Sequence, residues 1–264
     1  MNILMVGDIV GSPGRRMLAK ALPGLRREFA LDAVVANAEN AAGGRGLTLP
    51  LAEELFAAGA DVLTLGDHAW DQRELAAQVD REPRILRAAN LAPGCPGRGW
   101  TTVQTPAGPV TVVALLGRVF MPPIADCPFR CIDALLRELP GSAGPVLVDM
   151  HAEATSEKIA MGWHLDGRAA AVVGTHTHVQ TSDERLLPKG TACLTDLGMT
   201  GPAHSILGRD VDSVMHRFLT GMPTKFGVAE KDVVLEGLFV ALHRSTGRPR
   251  NLQRIRLRES EVES

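Results

Sequence analysis

The sequence predicts an α/β protein built on a largely parallel sheet, and three observations carry that expectation. From Met1 to Asn90, short apolar runs of the buried-strand kind alternate with stretches of helical length, the pattern of repeated βαβ units. Two β-rich runs, Thr101 to Thr105 and Val110 to Leu116, are joined through Pro106-Ala107-Gly108; this hairpin signal adds a second, partly antiparallel sheet. Several apolar runs end abruptly in acids, amides or histidines, as buried strands do where they emerge at a sheet edge.

Met1 to Val6 is an apolar run closed by Gly7-Asp8, and Ser12-Pro13 supplies an N-cap and a first-turn proline for a helix to about Glu28. Asp32 to Ala36 repeats the strand pattern and runs into Asn37-Ala38-Glu39-Asn40. The glycine-rich Ala41 to Gly46 must be a loop, because its glycines favour neither helix nor ladder. A helix from about Leu49 to Ala58 and the strand Asp61 to Leu65 follow, ending in Gly66-Asp67-His68. Asp71 can cap a helix to about Val79, and Ile85 to Asn90 reads as a further strand.

Beyond the hairpin, a proline-broken loop around Met121 to Pro128 leads to a helix ending at Leu139. The strand Val146 to Val148 then runs out into Asp149-Met150-His151-Ala152-Glu153. A helix to about Trp163 precedes the strand Ala169 to Val173, which ends in Gly174-Thr175-His176-Thr177-His178. Thr191 to Leu194 ends in Thr195-Asp196, a helix covers about Asp210 to Leu219, and two β runs, Val233 to His243 and Arg250 to Leu257, close the chain. The last six residues are polar and acidic and are expected to fray. No repeat, linker or low-complexity segment marks a boundary, so a single domain over 1–264 is expected.

A formal net charge of −2 provides no basic field for strong nucleic-acid binding, while leaving a small nucleotide or phosphodiester substrate open. The four cysteines, Cys95, Cys127, Cys131 and Cys193, are dispersed and lack redox spacing, so reduced structural thiols in a cytoplasmic protein are expected. No apolar stretch approaches the length of a membrane span, and no membrane partner is expected; a homo-oligomer stays open. Gly7, Gly11 and Gly14 do not have dinucleotide-binding spacing, and Asp8 would set a carboxylate against the pyrophosphate.

The chemistry gathers at the strand ends. In an extended segment residues i and i+2 point the same way, so His176 and His178 can face one ion, or two adjacent ions one apiece; two polar loop histidines would look the same in isolation. The other runs decide between these readings. Asp8, Glu39, Asn40, Asp67, His68, His151, His176 and His178 all follow apolar runs, and in an open α/β sheet such positions share the carboxyl edge. So many N/O donors without sulfur exceed the needs of one Zn²⁺ and suit two divalent ions sharing a bridging carboxylate. Two such ions, roughly 3.5 to 4 Å apart, lower the pKa of a bridging water and clamp the oxygens of an in-line displacement at phosphorus, which makes phosphoester hydrolysis the reaction class.

The series Gly7-Asp8, Glu39-Asn40, Gly66-Asp67-His68, His151 and Gly174-Thr-His176-Thr-His178 resembles the calcineurin-like metallophosphoesterases. Asn37-Ala-Glu-Asn-Ala-Ala-Gly43 and Asp196-Leu-Gly-Met-Thr-Gly-Pro202 resemble its Bacillus YmdB-type branch, regarded as phosphodiesterases of 2′,3′-cyclic nucleotides. The resemblance covers about Met1 to Leu257 and implies two packed mixed β-sheets flanked by helices. It also implies two transition-metal ions, iron or manganese with zinc as an alternative. One would take Asp8, Glu39, Asn40 and His178; the other would take Glu39 as a bridge, Asp67, His151 and His176.

The chain departs from the superfamily in two places. Asp8-Ile9-Val10 lacks the histidine of the usual Asp-x-His, a place that Asn40 fills, and Asp67 stands where Gly-Asn-His is usual. By the same resemblance His68 is the general acid that protonates the leaving alkoxide, a task that histidine's intrinsic pKa of about 6.5 suits. A phosphomonoesterase of the 5′-nucleotidase kind needs the same ions and differs in its pocket walls. From another class, a regulatory nucleotide or RNA-processing partner of low turnover would also keep such a centre.

Overall fold

An apolar strand buried on both faces needs a different partner for each set of alternating side chains. In the computed structural model, which describes residues 1–262, the strand Asn2–Val6 is central to a mixed sheet. Ala33–Asn37, Val62–Thr64 and Ile85–Leu86 continue from it in parallel. On its other side Val233–Leu242 pairs antiparallel and in turn bonds Pro249–Arg258 and Met199–Pro202. The short strand Asp8–Ile9 runs parallel to Met199–Pro202.

The second sheet is ordered Arg185–Leu186, Ala192–Leu194, Ala171–Thr175, Val146–His151, Gly108–Leu116 and Trp100–Thr105. Its middle is parallel and its two edges are antiparallel. Ile3, Met5 and Val35 of the first sheet meet Val112, Leu147 and Val173 of the second in a shared core. The alternate residues Leu4, Val6 and Val34 face Met17, Leu18 and Leu22 of the helix Gly11–Glu28. On the far side, Val113, Leu115 and Val148 pack against Ile132 and Met161 of the helices Pro128–Glu138 and Thr155–His164. The result is the two-sheet sandwich flanked by helices that the resemblance implies.

Several elements differ from expectation for identifiable reasons. The first helix starts at Gly11 behind Val10, with no side-chain cap from Ser12. Asp71 caps nothing: the helix shrinks to Arg73–Ala76, and the Asp71 carboxylate is engaged by Arg45 and His68. The run from Ile85 leaves its sheet after Leu86, because Arg87 and Ala89 donate their N–H groups to Arg98 and Ala114 instead. The hairpin turn is Pro106-Ala107 alone, since Thr105 already pairs with Gly108. The strand from Val146 extends to His151 and so delivers that histidine directly. Near the chain end Glu259–Glu261 form a short 3-10 turn, and of the tail expected to fray, 263–264 lie outside the described residues. None of the four cysteines is paired, and among the described residues no helix is long and apolar enough to cross a membrane.

Candidate metal centre

The two sheets bring different chemistry to one edge. The first supplies Asp8 from its short strand, Glu39 and Asn40 beyond Ala33–Asn37, and Asp67 and His68 beyond Val62–Thr64. The second supplies three further imidazoles, His151 as the last residue of its strand and His176 and His178 beyond Ala171–Thr175. The extended-backbone expectation for the last two is not met. Both have positive φ, 105° and 62°, so a turn rather than a pleat aims them, and they face different neighbours.

One group consists of Glu39, Asp67, His151 and His176, whose candidate ligand atoms all lie within 4.8 Å of one another. His151 Nε2 is 3.0 Å from Asp67 Oδ1 and 3.1 Å from Glu39 Oε1, and His176 Nδ1 is 3.0 Å from His151 Nε2. A second group continues from Glu39: Asn40 Nδ2 is 3.2 Å from both Glu39 Oε1 and His178 Nε2, and His178 Nε2 is 3.8 Å from Asp8 Oδ1. Asp8 is fully buried; its Oδ2 accepts the His176 N–H, whereas Oδ1 has no hydrogen-bond partner.

The far nitrogen of each imidazole has a partner of its own outside the centre. His178 Nδ1 donates to the Leu207 carbonyl, leaving the Nε2 lone pair toward Asn40 and Asp8. Thr175 spends its hydroxyl hydrogen on Asp149 at 2.7 Å, so it accepts from His151 Nδ1 at 2.9 Å and leaves Nε2 facing Glu39 and Asp67. Glu153 Oε2 lies 3.2 Å from His176 Nε2, while Nδ1 faces His151 and Asp67. Three imidazoles therefore turn one ring nitrogen inward among carboxylates, the arrangement in which an outer acceptor orients a metal-binding histidine. Together with the unpartnered Asp8 oxygen, this donor set fits divalent cations.

Electrostatics agree. Burial pushes the Asp8 carboxyl up to about 8, with Glu39 adding to the rise against the pull of His151. For His151, burial acts downward but is outweighed by Glu39 and by the hydrogen-bonded Asp67, so its pKa stands well above the ordinary value. Asp67 moves down, because the hydrogen bonds from His151 and His176 overcome its desolvation. Burial lowers His178. A dense, buried set of acids thus retains positive charge, as protons when no cation is bound.

His68 stands beside these groups. Its backbone N–H donates to Glu39 Oε2, and its Nδ1 lies 3.1 Å from Asp71 Oδ2, the oxygen that is also 3.0 Å from Arg45 Nε. Sequence reasoning missed Asp71 in this role, although the i, i+3 spacing from His68 was available as a signal. It also missed Glu153 and Thr175, which are visible only as near neighbours of the histidines.

The sequence model of the YmdB-like protein family matches residues 4–255. A 2′,3′-cyclic-nucleotide 2′-phosphodiesterase of Bacillus subtilis (strain 168) is 44% identical over 99% of both chains. The crystal structure of a novel phosphatase from Mycoplasma pneumoniae superposes with a TM-score of 0.92 at 31% identity, over 98% of this chain and 93% of that one. A 5′-nucleotidase precursor from Thermus thermophilus gives a TM-score of 0.60 at 13% identity over 100% of this chain and 56% of its own, a likeness of fold alone. With its calcineurin-like sandwich and a family match over nearly its whole length, the chain belongs to the YmdB-like family.

Proposed function

We propose that the protein is a metal-dependent phosphodiesterase that hydrolyses cyclic nucleotides, 2′,3′-cyclic nucleotides by preference, with His68 as general acid. The observation that carries this reading is the inward turning of one ring nitrogen from each of three imidazoles onto Asp8, Glu39 and Asp67. In it, Asp8, Glu39, Asn40 and His178 hold one ion, and Glu39, Asp67, His151 and His176 hold the other. Divalent ions held there would supply an acidified water as the nucleophile and would offset charge on the phosphoryl oxygens.

The chain's own residues do the rest. Asp71 takes the Nδ1 side of His68, so in the imidazolium form Nε2 carries the proton left for the leaving group. Arg45, paired to the same Asp71 oxygen, fixes that carboxylate in place. Protonation of the leaving sugar oxygen by His68 Nε2 avoids expelling a bare alkoxide. The activity carried by the Bacillus subtilis relative's name supports the cyclic-nucleotide assignment.

The test is a panel of 2′,3′- and 3′,5′-cyclic nucleotides, linear diesters and 5′-monoesters, offered to the Mn²⁺-loaded protein. Fastest turnover of a 2′,3′-cyclic nucleotide is expected. Turnover confined to monoesters would replace this reading with a phosphomonoesterase, and no turnover of any substrate would leave a binding or regulatory role in its place.

A further inference from the structure

The word Asp196-Leu197-Gly198 follows an apolar strand but contributes no residue to either ion group, and its surroundings give it another task. Thr177 lies between two non-glycine residues of positive φ, His176 and His178. Backbone of that kind is strained and persists only where its surroundings over-determine it. Here the surroundings include two carboxylates, Asp8 on the His176 N–H and Asp196 on Thr177. Asp196 Oδ2 accepts the Thr177 hydroxyl at 2.8 Å and the Thr177 N–H at 3.2 Å.

The same oxygen accepts Lys158 Nζ at 2.6 Å, from the helix Thr155–His164, while Oδ1 accepts the Gly198 N–H at 2.8 Å. Asp196 and Lys158 are 1% and 4% exposed. Removing both charges from water is costly unless the remaining hydrogen-bonding capacity of the pair is used. Thr177 and Gly198 use that of the carboxylate.

The turn then reaches the remaining ligands. Gly198 O accepts the Asp8 N–H at 3.1 Å, and the Leu197 N–H donates to Gly174 O at 2.8 Å, at the root of the histidine loop. Gly198 itself has φ +82°, and a Cβ there would strike the Glu236 carboxylate, so the turn closes only with glycine. One buried turn is therefore bonded both to Asp8 and to the loop between His176 and His178.

We infer that Asp196 is a positioning residue that sets the His176–His178 loop against Asp8 and so governs both ion sites together. This rests on the metal-centre reading above, in which His176 belongs to one ion and Asp8 and His178 to the other. A role in stability alone would make the Thr177 hydroxyl dispensable for metal binding.

Titration of metal-free protein with Mn²⁺ by calorimetry separates the two. Thr177→Val keeps the backbone N–H and the volume but removes the hydroxyl donor, and it should weaken both ions by about 10- to 100-fold, the scale on which outer hydrogen bonds tune metal affinity. Thr177→Ser restores the donor and should recover affinity to within about threefold. Lys158→Met, which breaks the ion pair but leaves the Thr177–Asp196 bonds available, is the stability control. Its melting temperature should fall further than that of Thr177→Val, with a smaller loss of Mn²⁺ affinity.

Equal Mn²⁺ binding by parent and Thr177→Val, loss of one ion only, or metal loss that tracks melting temperature across the three variants would each overturn the inference. A parent that takes up no Mn²⁺ would overturn the metal-centre reading itself, an outcome distinct from a binding parent with an unaffected Thr177→Val.

Discussion

Asp67 brings a full negative charge where a neutral amide is usual in the wider superfamily, and its Oδ1 lies 3.0 Å from His151 Nε2. An added carboxylate tightens an ion and neutralises part of the charge that would otherwise act on phosphate. Asp67→Asn is therefore expected to weaken metal retention with unchanged or higher turnover at saturating metal, and Asp67→Ala to lose one ion; metal titration of both variants checks this. His68→Ala should keep metal content and lower kcat by about 10² to 10⁴ on cyclic nucleotides, with much smaller losses on aryl diesters whose leaving groups need little protonation. Rates on the two substrate types, measured side by side, decide it. Proton release provides a third check. With Asp8 raised to about 8 and His151 raised well above its ordinary value, the metal-free centre holds protons at pH 7 that binding must expel. Mn²⁺ uptake there should release about two protons per chain, and affinity should fall as the pH drops below 8. Calorimetry in buffers of different ionisation enthalpy measures that number. At this scale the candidate ligands were legible because each follows an apolar run. Asp71 was not, because an aspartate in a turn before a helical stretch signals a cap equally well.

Strand ends are what place these residues, and glycine permits their close approach. At Gly66, a Cβ would run into the His151 ring and the Glu39 carboxylate, so the end of Val62–Thr64 approaches the second sheet only without a side chain. Gly66→Ala should cost about 1–3 kcal/mol by overpacking and displace the Glu39–His151 contact. Thermal melting with metal analysis should show a folded, metal-poor protein. The order of strands and helices was legible because buried strands are uniformly apolar and their breaks are sharp. The turn carrying His176 and His178 was not: positive φ at a non-glycine residue is set by tertiary bonds to Asp196 and Asp8, which local sequence does not reveal. The strand from Ile85 was overextended for a similar reason, its later N–H groups finding acceptors at Arg98 and Ala114.

Across the whole molecule, acids arrive from one sheet and imidazoles from the other, so the centre also ties the two halves of the sandwich together. An ion bound only by the folded protein stabilises it in proportion to the logarithm of its concentration over Kd, and chelation should lower the melting temperature as well as the activity. The measurement closest to the central claim is metal content per chain, determined together with hydrolysis of 2′,3′-cyclic AMP, before chelation, after exhaustive chelation and after Mn²⁺ is added back. The two-ion reading predicts about two ions per chain at full activity, no hydrolysis at metal content near zero, and recovery of both on addition. Undiminished hydrolysis by protein whose metal content is confirmed near zero would contradict it.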